Sequence, residues 1–244
     1  MAVNLNAITI VNNWRRGAFP TRKHNSLCCL CGVALSHEDS GLCGPCAGDL
    51  PKNNKACPTC AVPMPVPMLC AECLQRPNHN ITSIFTLYKY QYPINRLIQE
   101  MKYNARTDIA YSMGKQLGLA VQEHGLHLPQ CVIPVPLHNS RVAGRGYNQS
   151  LEIARPLANI LNIPVDLKIC KRIFKTLPQT GLPASHRRRN IHGAFSITHA
   201  SLYDHMVIID DVVTTGATVN EMARVLVRAG VKRIDVWACA RASC

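Results

Sequence analysis

Acidic and aromatic residues are scarce in this chain of 244 residues. Asp and Glu number 14 against 27 Lys and Arg, so the formal net charge is +13, and aromatic residues make up only 5% of the sequence. The positive charge favours anionic partners, such as a phosphorylated substrate, nucleic acid or acidic lipid. The scarcity of aromatic rings weighs against a large surface for single-stranded DNA, because such surfaces usually stack bases on aromatic side chains.

Long apolar runs and signal-like segments are also missing. No apolar stretch approaches the roughly 20 residues that a helix needs to cross a bilayer, and the Asn-rich N-terminus has no compact apolar region typical of a signal peptide. We therefore expect a cytoplasmic protein with no membrane span and with reduced thiols. Two common phosphate-binding motifs are absent too, since the chain contains neither a Walker A lysine after a glycine-rich turn nor a G-x-G-x-x-G sequence.

Cysteine, by contrast, occurs 13 times, and eight of these residues form four C-x2-C pairs between positions 28 and 73. In a reducing compartment such pairs indicate metal ligands before disulfides. Two pairs complete a tetrahedral four-thiolate zinc site with no open position. The spacing therefore predicts two structural Zn2+ ions that hold a small domain together, although it permits interleaved as well as sequential pairing. We expect one ion on Cys28, Cys31, Cys43 and Cys46 and the other on Cys57, Cys60, Cys70 and Cys73.

The stretch from Val207 to Glu221, VIIDDVVTTGATVNE, predicts a ligand site between a strand and a helix. The β-branched run at its start is typical of a strand that is covered on both faces. Asp210 and Asp211 follow where that strand should emerge, and α/β sheets bind their ligands beyond the carboxyl ends of the strands. Two carboxylates at this position can accept hydrogen bonds from a vicinal diol such as a ribose.

The Thr/Gly turn that follows suits a phosphate monoester. It can aim hydroxyls and backbone N–H groups at one point, and the helix N-terminus adds partial positive charge. An ordinary helix capped by Thr215 would explain the turn, but it would not explain two carboxylates at a strand exit. The stretch therefore predicts a ribose 5-phosphate site, with the phosphate held by Thr214, Thr215, Gly216, Ala217 and Thr218.

Two further segments could surround an anion. After the strand predicted at 131–135, Arg141 and Arg145 share a loop with two glycines, and an arginine matches phosphate oxygens with a fork of donors. From 167 to 203 the chain has no acid but seven Lys and Arg. That segment is either a solvated basic face or a polyanion site, and it suits a mobile loop that closes over an anionic ligand.

Alternating strands and helices predict the fold class. Strands are expected at 84–90, 131–135, 165–169, 193–197, 205–209 and 232–240, with helices between them. This order is typical of an α/β domain with a mostly parallel sheet and helices on both faces. We expect three parts: an N-terminal segment (1–26), a zinc-binding module (27–78) and the α/β domain (79–244).

Together these motifs resemble the competence protein F (ComF) family, which combines a double zinc ribbon with a type I phosphoribosyltransferase fold. The resemblance covers roughly residues 27–242 and includes the cysteine pairs and the phosphoribosyl pyrophosphate (PRPP) motif that begins at Val207. Four shorter blocks narrow it to this family: L-I-x-x-M-K-Y (97–103), P-V-P-L-H (134–138), R-G-Y-N-Q (145–149) and R-x-x-N-I-x-G-A-F (187–195).

The resemblance implies transfer of ribose 5-phosphate from PRPP, bound with Mg2+, to a nitrogen nucleophile. Asp210 and Asp211 would hold the ribose and the threonine turn the 5-phosphate, while Arg145 and Arg187 would neutralise the departing pyrophosphate. The pyrophosphate would lie against a loop formed by Val135, Pro136, Leu137 and His138, with Arg141 nearby.

The resemblance also implies partners. The family is implicated in handling DNA taken up during natural transformation, so single-stranded DNA and other competence proteins, such as a DNA-uptake helicase or a recombination mediator, are expected. A second function stays open beside the transferase: a non-catalytic DNA-binding competence factor with PRPP as an effector or relic. A nucleotide-sensing regulator ranks last, because no helix-turn-helix is evident.

Overall fold

The computed structural model describes residues 27–36, 41–75, 80–138, 146–174 and 191–243. In chain order its elements are α1 (Gly44–Gly48), α2 (Ala71–Gln75), β1 (Ser83–Lys89), α3 (Ile94–Tyr103), α4 (Thr107–Glu123), β2 (Cys131–Pro134), α5 (Gln149–Leu161), β3 (Cys170–Arg172), β4 (Phe195–Ile197), β5 (His205–Val213), α6 (Ala217–Arg228) and β6 (Arg233–Arg241). None of the helices in these residues is long and apolar enough to cross a membrane.

Four strands form the main sheet in the order β1-β6-β5-β2, and each neighbouring pair is parallel. Strands β3 and β4 form a separate antiparallel pair. Helices α3, α4 and α5 pack on one face of the main sheet, and α6 packs on the other. The predicted α/β class with a mostly parallel sheet is therefore confirmed.

Strand β5 runs through the middle of the sheet because its side chains suit burial on both faces. Val207, Ile208 and Ile209 are all 0% exposed. Val207 and Ile209 belong to the core beneath α3, α4 and α5, whereas Ile208 belongs to the core beneath α6. This alternation matches the period of two that a strand imposes on its side chains.

Helices α4 and α5 pack closely because Gly114 carries no side chain. A Cβ atom there would lie 2.2 Å from the carbonyl oxygen of Ile153 and 2.7 Å from the Cγ of Pro156. The close contact holds α5 against α4. In the first turn of α5, the hydroxyl of Ser150 donates to Asp210 of β5.

Strand β5 is longer than the sequence suggested. It continues through Asp210 and Asp211 to Val213, because β6 keeps pairing with it as far as Arg241. The two acids therefore lie within the hydrogen-bonded part of β5 and not beyond it. This difference decides how deeply each carboxylate is buried.

The strand predicted at 165–169 is wrong in its placement. Only Val165 pairs, in a single bridge with Val132, and the regular strand is Cys170–Arg172. The cause is local, since the carboxylate of Asp166 accepts hydrogen bonds from the backbone N–H groups of Lys168 and Ile169 at 2.7 and 3.0 Å. Such a turn bends the chain where an extended strand was expected.

The cysteine-rich region covers the outer edge of the sheet. Lys52 forms a bridge with Tyr88 of β1, and the backbone N–H of Asn53 donates to the carbonyl of Leu87 at 3.0 Å. The side chain of Asn53 also donates to Thr86 Oγ1 at 2.8 Å. The segment between the two cysteine clusters thus protects an edge strand that would otherwise expose unpaired backbone groups.

Candidate functional site

The eight paired cysteines form two clusters, and the pairing is sequential. Within each cluster all four Sγ atoms lie within 4.8 Å of one another. The Sγ atoms of Cys31 and Cys43 are 3.6 Å apart, as are those of Cys60 and Cys70. A tetrahedral zinc ion with Zn–S bonds of about 2.3 Å would separate its sulfurs by about 3.8 Å, so both clusters have the right size. The clusters are Cys28, Cys31, Cys43 and Cys46, and Cys57, Cys60, Cys70 and Cys73.

The lowered pKa values of two of these thiols, Cys28 and Cys57, also favour metal binding. Burial raises the pKa of Cys28, but backbone hydrogen bonds from Cys31 and Cys43 outweigh it and lower the pKa to about 6. Cys57 behaves similarly, since burial raises its pKa and backbone hydrogen bonds from Cys60 and Cys70 bring it to about 7. Four neighbouring thiols can all ionise only when a cation neutralises them, which is what a closed zinc site provides.

The two acids of the PRPP motif occupy different environments. Asp211 is only 4% exposed, and its Oδ2 lies 2.8 Å from Nζ of Lys102 in the last turn of α3. Asp210 is partly exposed, and its Oδ1 accepts hydrogen bonds from the hydroxyl of Ser150 at 3.3 Å and from the N–H of Asp211 at 2.9 Å. The structure therefore leaves Asp210 as the more accessible carboxylate.

The close charges at this point shift the pKa values of Asp210 and Lys102. Burial and the neighbouring charge of Asp211 raise the pKa of Asp210 to about 7. Burial lowers the pKa of Lys102, but the carboxylates of Asp211 and Asp210 more than compensate, so its pKa is raised. Lys102 thus stays an ammonium ion at neutral pH, while Asp210 exchanges its proton near pH 7.

The turn after β5 presents backbone groups at the start of α6. Gly216 is the residue that precedes the helix, with a φ of 73°, a backbone conformation that favours glycine. Because α6 begins at Ala217, the residue at the cap position is Gly216 and not Thr215. The hydroxyl of Thr215 accepts a bond from the N–H of Ala217 at 3.4 Å. Within the described chain, the N–H groups of Thr214, Thr215 and Gly216 donate no backbone hydrogen bond.

A cavity of about 420 Å3 lies beside this turn, lined by residues of both parts of the chain. Thr215, Gly216 and Arg241 contribute from the α/β domain, and Cys60 and Cys73 contribute from the second cysteine cluster. The turn predicted to hold a phosphate is therefore next to an open cleft. The second cysteine cluster forms part of the wall of that cleft.

The loop predicted for pyrophosphate and the start of α5 are held together. Asn148 caps α5 by accepting bonds from the N–H groups of Ser150 and Leu151 at 3.0 and 3.4 Å, and its amide donates to the carbonyl of Val135 at 3.0 Å. Val135 is buried, whereas Pro136, Leu137 and His138 are partly exposed at the end of β2. The P-V-P-L-H block and residues 146–149 of the R-G-Y-N-Q block thus meet at the same end of the sheet as the acids.

The basic segment contacts helix α6 at Gly193. The N–H of Gly193 donates to Oε1 of Glu221 at 2.8 Å, and Arg224 holds the same carboxylate at 2.6 Å. The basic segment is therefore anchored at Gly193 on the helix that follows the threonine turn. Three predicted anion-binding residues, Arg141, Arg145 and Arg187, lie outside the described residues.

Reasoning from the sequence missed three polar residues of this site: Lys102, Ser150 and Arg241. Lys102 carried a weak signal, because it belongs to the L-I-x-x-M-K-Y block and had no assigned role. Arg241 directly follows an apolar run at 236–240, which is an unusual place for a charge, and it is only 4% exposed. Ser150 had no signal in the sequence.

Two family sequence patterns match the chain. The pattern of the double zinc ribbon domain matches residues 16–74, and that of the phosphoribosyl transferase domain matches residues 148–243. The second match contains both acids and the threonine turn.

Several curated proteins are similar over nearly the whole chain. DNA utilization protein YhgH of Salmonella typhimurium is 35% identical over 220 residues, which is 88% of this chain and 96% of that protein. Competence protein F of Haemophilus influenzae is 35% identical over 227 residues, or 89% of this chain and 98% of that protein. Competence protein ComFC of Bacillus subtilis is 22% identical over 230 residues, or 85% and 91%.

Among solved structures, a purine phosphoribosyltransferase from Pyrococcus horikoshii aligns with a TM-score of 0.33 and 20% identity. The alignment covers 55% of this chain and 82% of that one.

Proposed function

Because the chain belongs to the competence protein F (ComF) family, we propose that its α/β domain binds PRPP and transfers ribose 5-phosphate to a nitrogen nucleophile. One observation carries the proposal: Asp210 and Asp211 lie in the last four residues of the central parallel strand β5, which leads into a turn whose N–H groups donate to no backbone acceptor in the described residues. The carboxyl ends of such strands are where α/β sheets bind ligands. The match to the phosphoribosyl transferase domain, which includes this segment, supports the proposal.

The 5-phosphate would bind in the turn from Thr214 to Thr218. The N–H groups of Thr214, Thr215 and Gly216 can donate to phosphate oxygens, because they have no backbone acceptor in the described residues. The aligned peptides of α6 add partial positive charge at this end. The left-handed conformation of Gly216 keeps the turn tight enough to surround a single anion.

We assign the ribose hydroxyls to Asp210 because it is the more exposed of the two acids. Asp211, buried against Lys102, would hold the end of β5 in place. Two carboxylates and one ammonium leave a net negative charge once Asp210 is ionised. That charge favours the positive charge that develops on the sugar ring as the bond from C1 to the pyrophosphate oxygen breaks.

The bond change balances without another reactant: the C1–O bond to pyrophosphate breaks, a C1–N bond forms, and the nitrogen releases a proton to solvent. Mg2+ bound with PRPP would supply neutralising charge for the pyrophosphate, and the carboxylate of Asp210 offers it a hard oxygen ligand. Arg145 and Arg187 are proposed to neutralise the same leaving group. Positioning of the two reactants would contribute much of the rate.

We further propose that this site serves the handling of single-stranded DNA during natural transformation, in the cytoplasm where the cluster thiols stay reduced. The support is twofold: relatives bear the names DNA utilization protein and Competence protein, and the chain carries a net charge of +13. Basic charge attracts the phosphates of DNA irrespective of sequence. Other competence proteins, such as a DNA-uptake helicase or a recombination mediator, are the proposed protein partners.

A second candidate is a non-catalytic DNA-binding factor that keeps PRPP as an effector. The ion pair between Lys102 and Asp211 favours it, because it occupies a carboxylate that a transferase would offer to the substrate. In that case PRPP would bind and alter DNA affinity without being consumed.

A single assay separates the two candidates. The zinc-loaded chain is incubated with Mg2+, PRPP and a panel of amines and bases, and pyrophosphate release is measured, with Asp210→Asn as the matched control. Release that depends on one added nucleophile and is lost in Asp210→Asn supports the transferase. Release no faster than in Asp210→Asn for every nucleophile contradicts it and favours the binding factor.

A further inference from the structure

Arg241 lies between the threonine turn and the second cysteine cluster. It is the last residue of β6 and is only 4% exposed. Its Nε donates to the carbonyl of Cys60 at 2.9 Å, and its Nη1 donates to the carbonyls of Val213 at 3.1 Å and Thr214. One buried guanidinium therefore contacts a cysteine of the cluster, the last residue of β5 and the first residue of the turn at once.

These hydrogen bonds contribute to the direction of two peptide groups, together with the backbone N–H of Ala242, which also donates to the carbonyl of Val213 at 3.0 Å. In a trans peptide the C=O and the N–H point in opposite directions. Since the carbonyls of Val213 and Thr214 point at Arg241, the N–H groups of Thr214 and Thr215 are aimed the other way. Those are two of the three N–H groups that the proposed phosphate site requires.

Arg241 also brings a charge that no carboxylate of the described residues neutralises, since all its hydrogen bonds end on backbone carbonyls. A buried guanidinium behind the turn raises the local positive potential, which favours an anion in front of it. The same side chain holds the carbonyl of Cys60, whose Sγ belongs to the second four-thiolate cluster. A zinc ion that orders Cys60 would therefore also order the carbonyl to which Arg241 donates.

We propose that Arg241 is a positioning residue that couples the second zinc site to the phosphate turn. Zinc on Cys57, Cys60, Cys70 and Cys73 holds the Cys60 carbonyl, Arg241 transmits that order to Val213 and Thr214, and the turn gains affinity for a sugar phosphate. The inference rests on the proposed function, because it assumes that the turn binds the phosphate of PRPP. By thermodynamic linkage, a sugar phosphate must then raise the zinc affinity of this cluster by the same factor.

The test is a double-mutant cycle on the full chain, with PRPP and Mg2+ as the probe in calorimetry. Four proteins are compared: wild type, Cys73→Ser, Arg241→Met and the double variant. Cys73 is chosen because its backbone makes no hydrogen bond with Arg241. Arg233→Met is the matched control, since Arg233 is the first residue of the same strand and pairs with Asp235, away from the turn.

We expect Cys73→Ser and Arg241→Met each to weaken PRPP binding by about tenfold or more, and the double variant to be at most about threefold weaker than either single variant. Arg233→Met should bind PRPP within about twofold of wild type. Arg241→Lys, which keeps the charge but not the fork of donors, should recover part of the loss and takes the place of Arg241→Met if that variant does not fold.

A second readout uses no PRPP chemistry. Ribose 5-phosphate should slow the loss of one of the two zinc ions to a chelator in wild type, but not in Arg241→Met. Losses that multiply in the double variant, or zinc release that ribose 5-phosphate leaves unchanged, would overturn the coupling. If wild type binds neither PRPP nor ribose 5-phosphate, the proposed function fails as well, so the two failures are distinguishable.

Discussion

Lys102 and Asp211 form a buried ion pair in which Nζ lies 2.8 Å from Oδ2, joining the last turn of α3 to the end of β5. The side chain of Asp211 is 5% exposed and that of Lys102 is 24% exposed. A carboxylate this deeply buried needs a partner, because the cost of removing it from water is several kcal/mol. The pair therefore explains how two adjacent acids can lie within the last residues of one strand.

Removal of the lysine should be costly for stability. Lys102→Met leaves Asp211 buried without its cation, and we expect a loss of about 2 kcal/mol or more in the free energy of unfolding, measured with urea. Adding Asp211→Asn should recover part of this loss, because a neutral amide is cheaper to bury. Lys232→Met is the control, since its pair with Asp204 is exposed and worth about 0.5 kcal/mol. Equal losses from both lysines would contradict the role given to the buried pair.

The protonation of Asp210 should make PRPP binding depend on pH. Its pKa of about 7 lies above the ordinary value of 3.8, because of burial and the charge of Asp211. The ionised carboxylate accepts bonds from ribose hydroxyls, so the affinity for PRPP should rise between pH 6 and pH 8. PRPP phosphates also titrate in this range, so the comparison is with Asp210→Asn. A pH profile identical in the two proteins would exclude Asp210 as the titrating group.

The same shift has a consequence for stability, with the opposite sign. The folded chain retains a proton on Asp210 that the unfolded chain releases near pH 4. This group therefore contributes stability that is present below pH 4 and is lost as the pH rises towards 7. The stability of Asp210→Asn relative to wild type should accordingly increase over that range in urea titrations, and a constant difference would contradict the raised pKa.

The hydrophobic pattern sufficed for the fold, while the pairing of distant polar groups did not follow from it. Apolar runs predicted the first part of β5, at 205–209, and the helix α6 that follows it, since burial on both faces dictates the residue type. They did not predict that β5 continues to Val213. The C-x2-C spacing predicted two zinc clusters, yet only the fold excluded interleaved pairing. The contacts of Lys102 with Asp211 and of Arg241 with Cys60 join residues far apart in the chain, and no local pattern specifies such pairs.

The two cysteine clusters should each hold one zinc ion. Metal analysis of the purified chain should give about two Zn per chain, since each closed site takes four thiolates. Cys46→Ser and Cys73→Ser should each lower the content to about one. A value of one or none in wild type would refute a pair of four-thiolate sites. Loss of both ions on a single substitution would show that the clusters are not independent.

DNA binding, where it occurs, should be electrostatic. The chain has a net charge of +13 and few aromatic side chains for base stacking. The affinity for a fluorescent single-stranded oligonucleotide should therefore fall steeply between about 50 and 200 mM salt, because cations displaced from the phosphates are released on binding. The triple variant of Arg187, Arg188 and Arg189 to Gln should lower the slope. An affinity that is flat with salt would remove the electrostatic DNA contact.

The central claim is that the end of β5 holds the ribose of PRPP, and calorimetry tests it most directly. PRPP with Mg2+ is titrated into the zinc-loaded wild-type chain and into the double variant Asp210→Asn with Asp211→Asn, after circular dichroism has established that both are folded. The account predicts saturable binding to wild type and no detectable binding to the double variant. Equal affinity in the two proteins would contradict it.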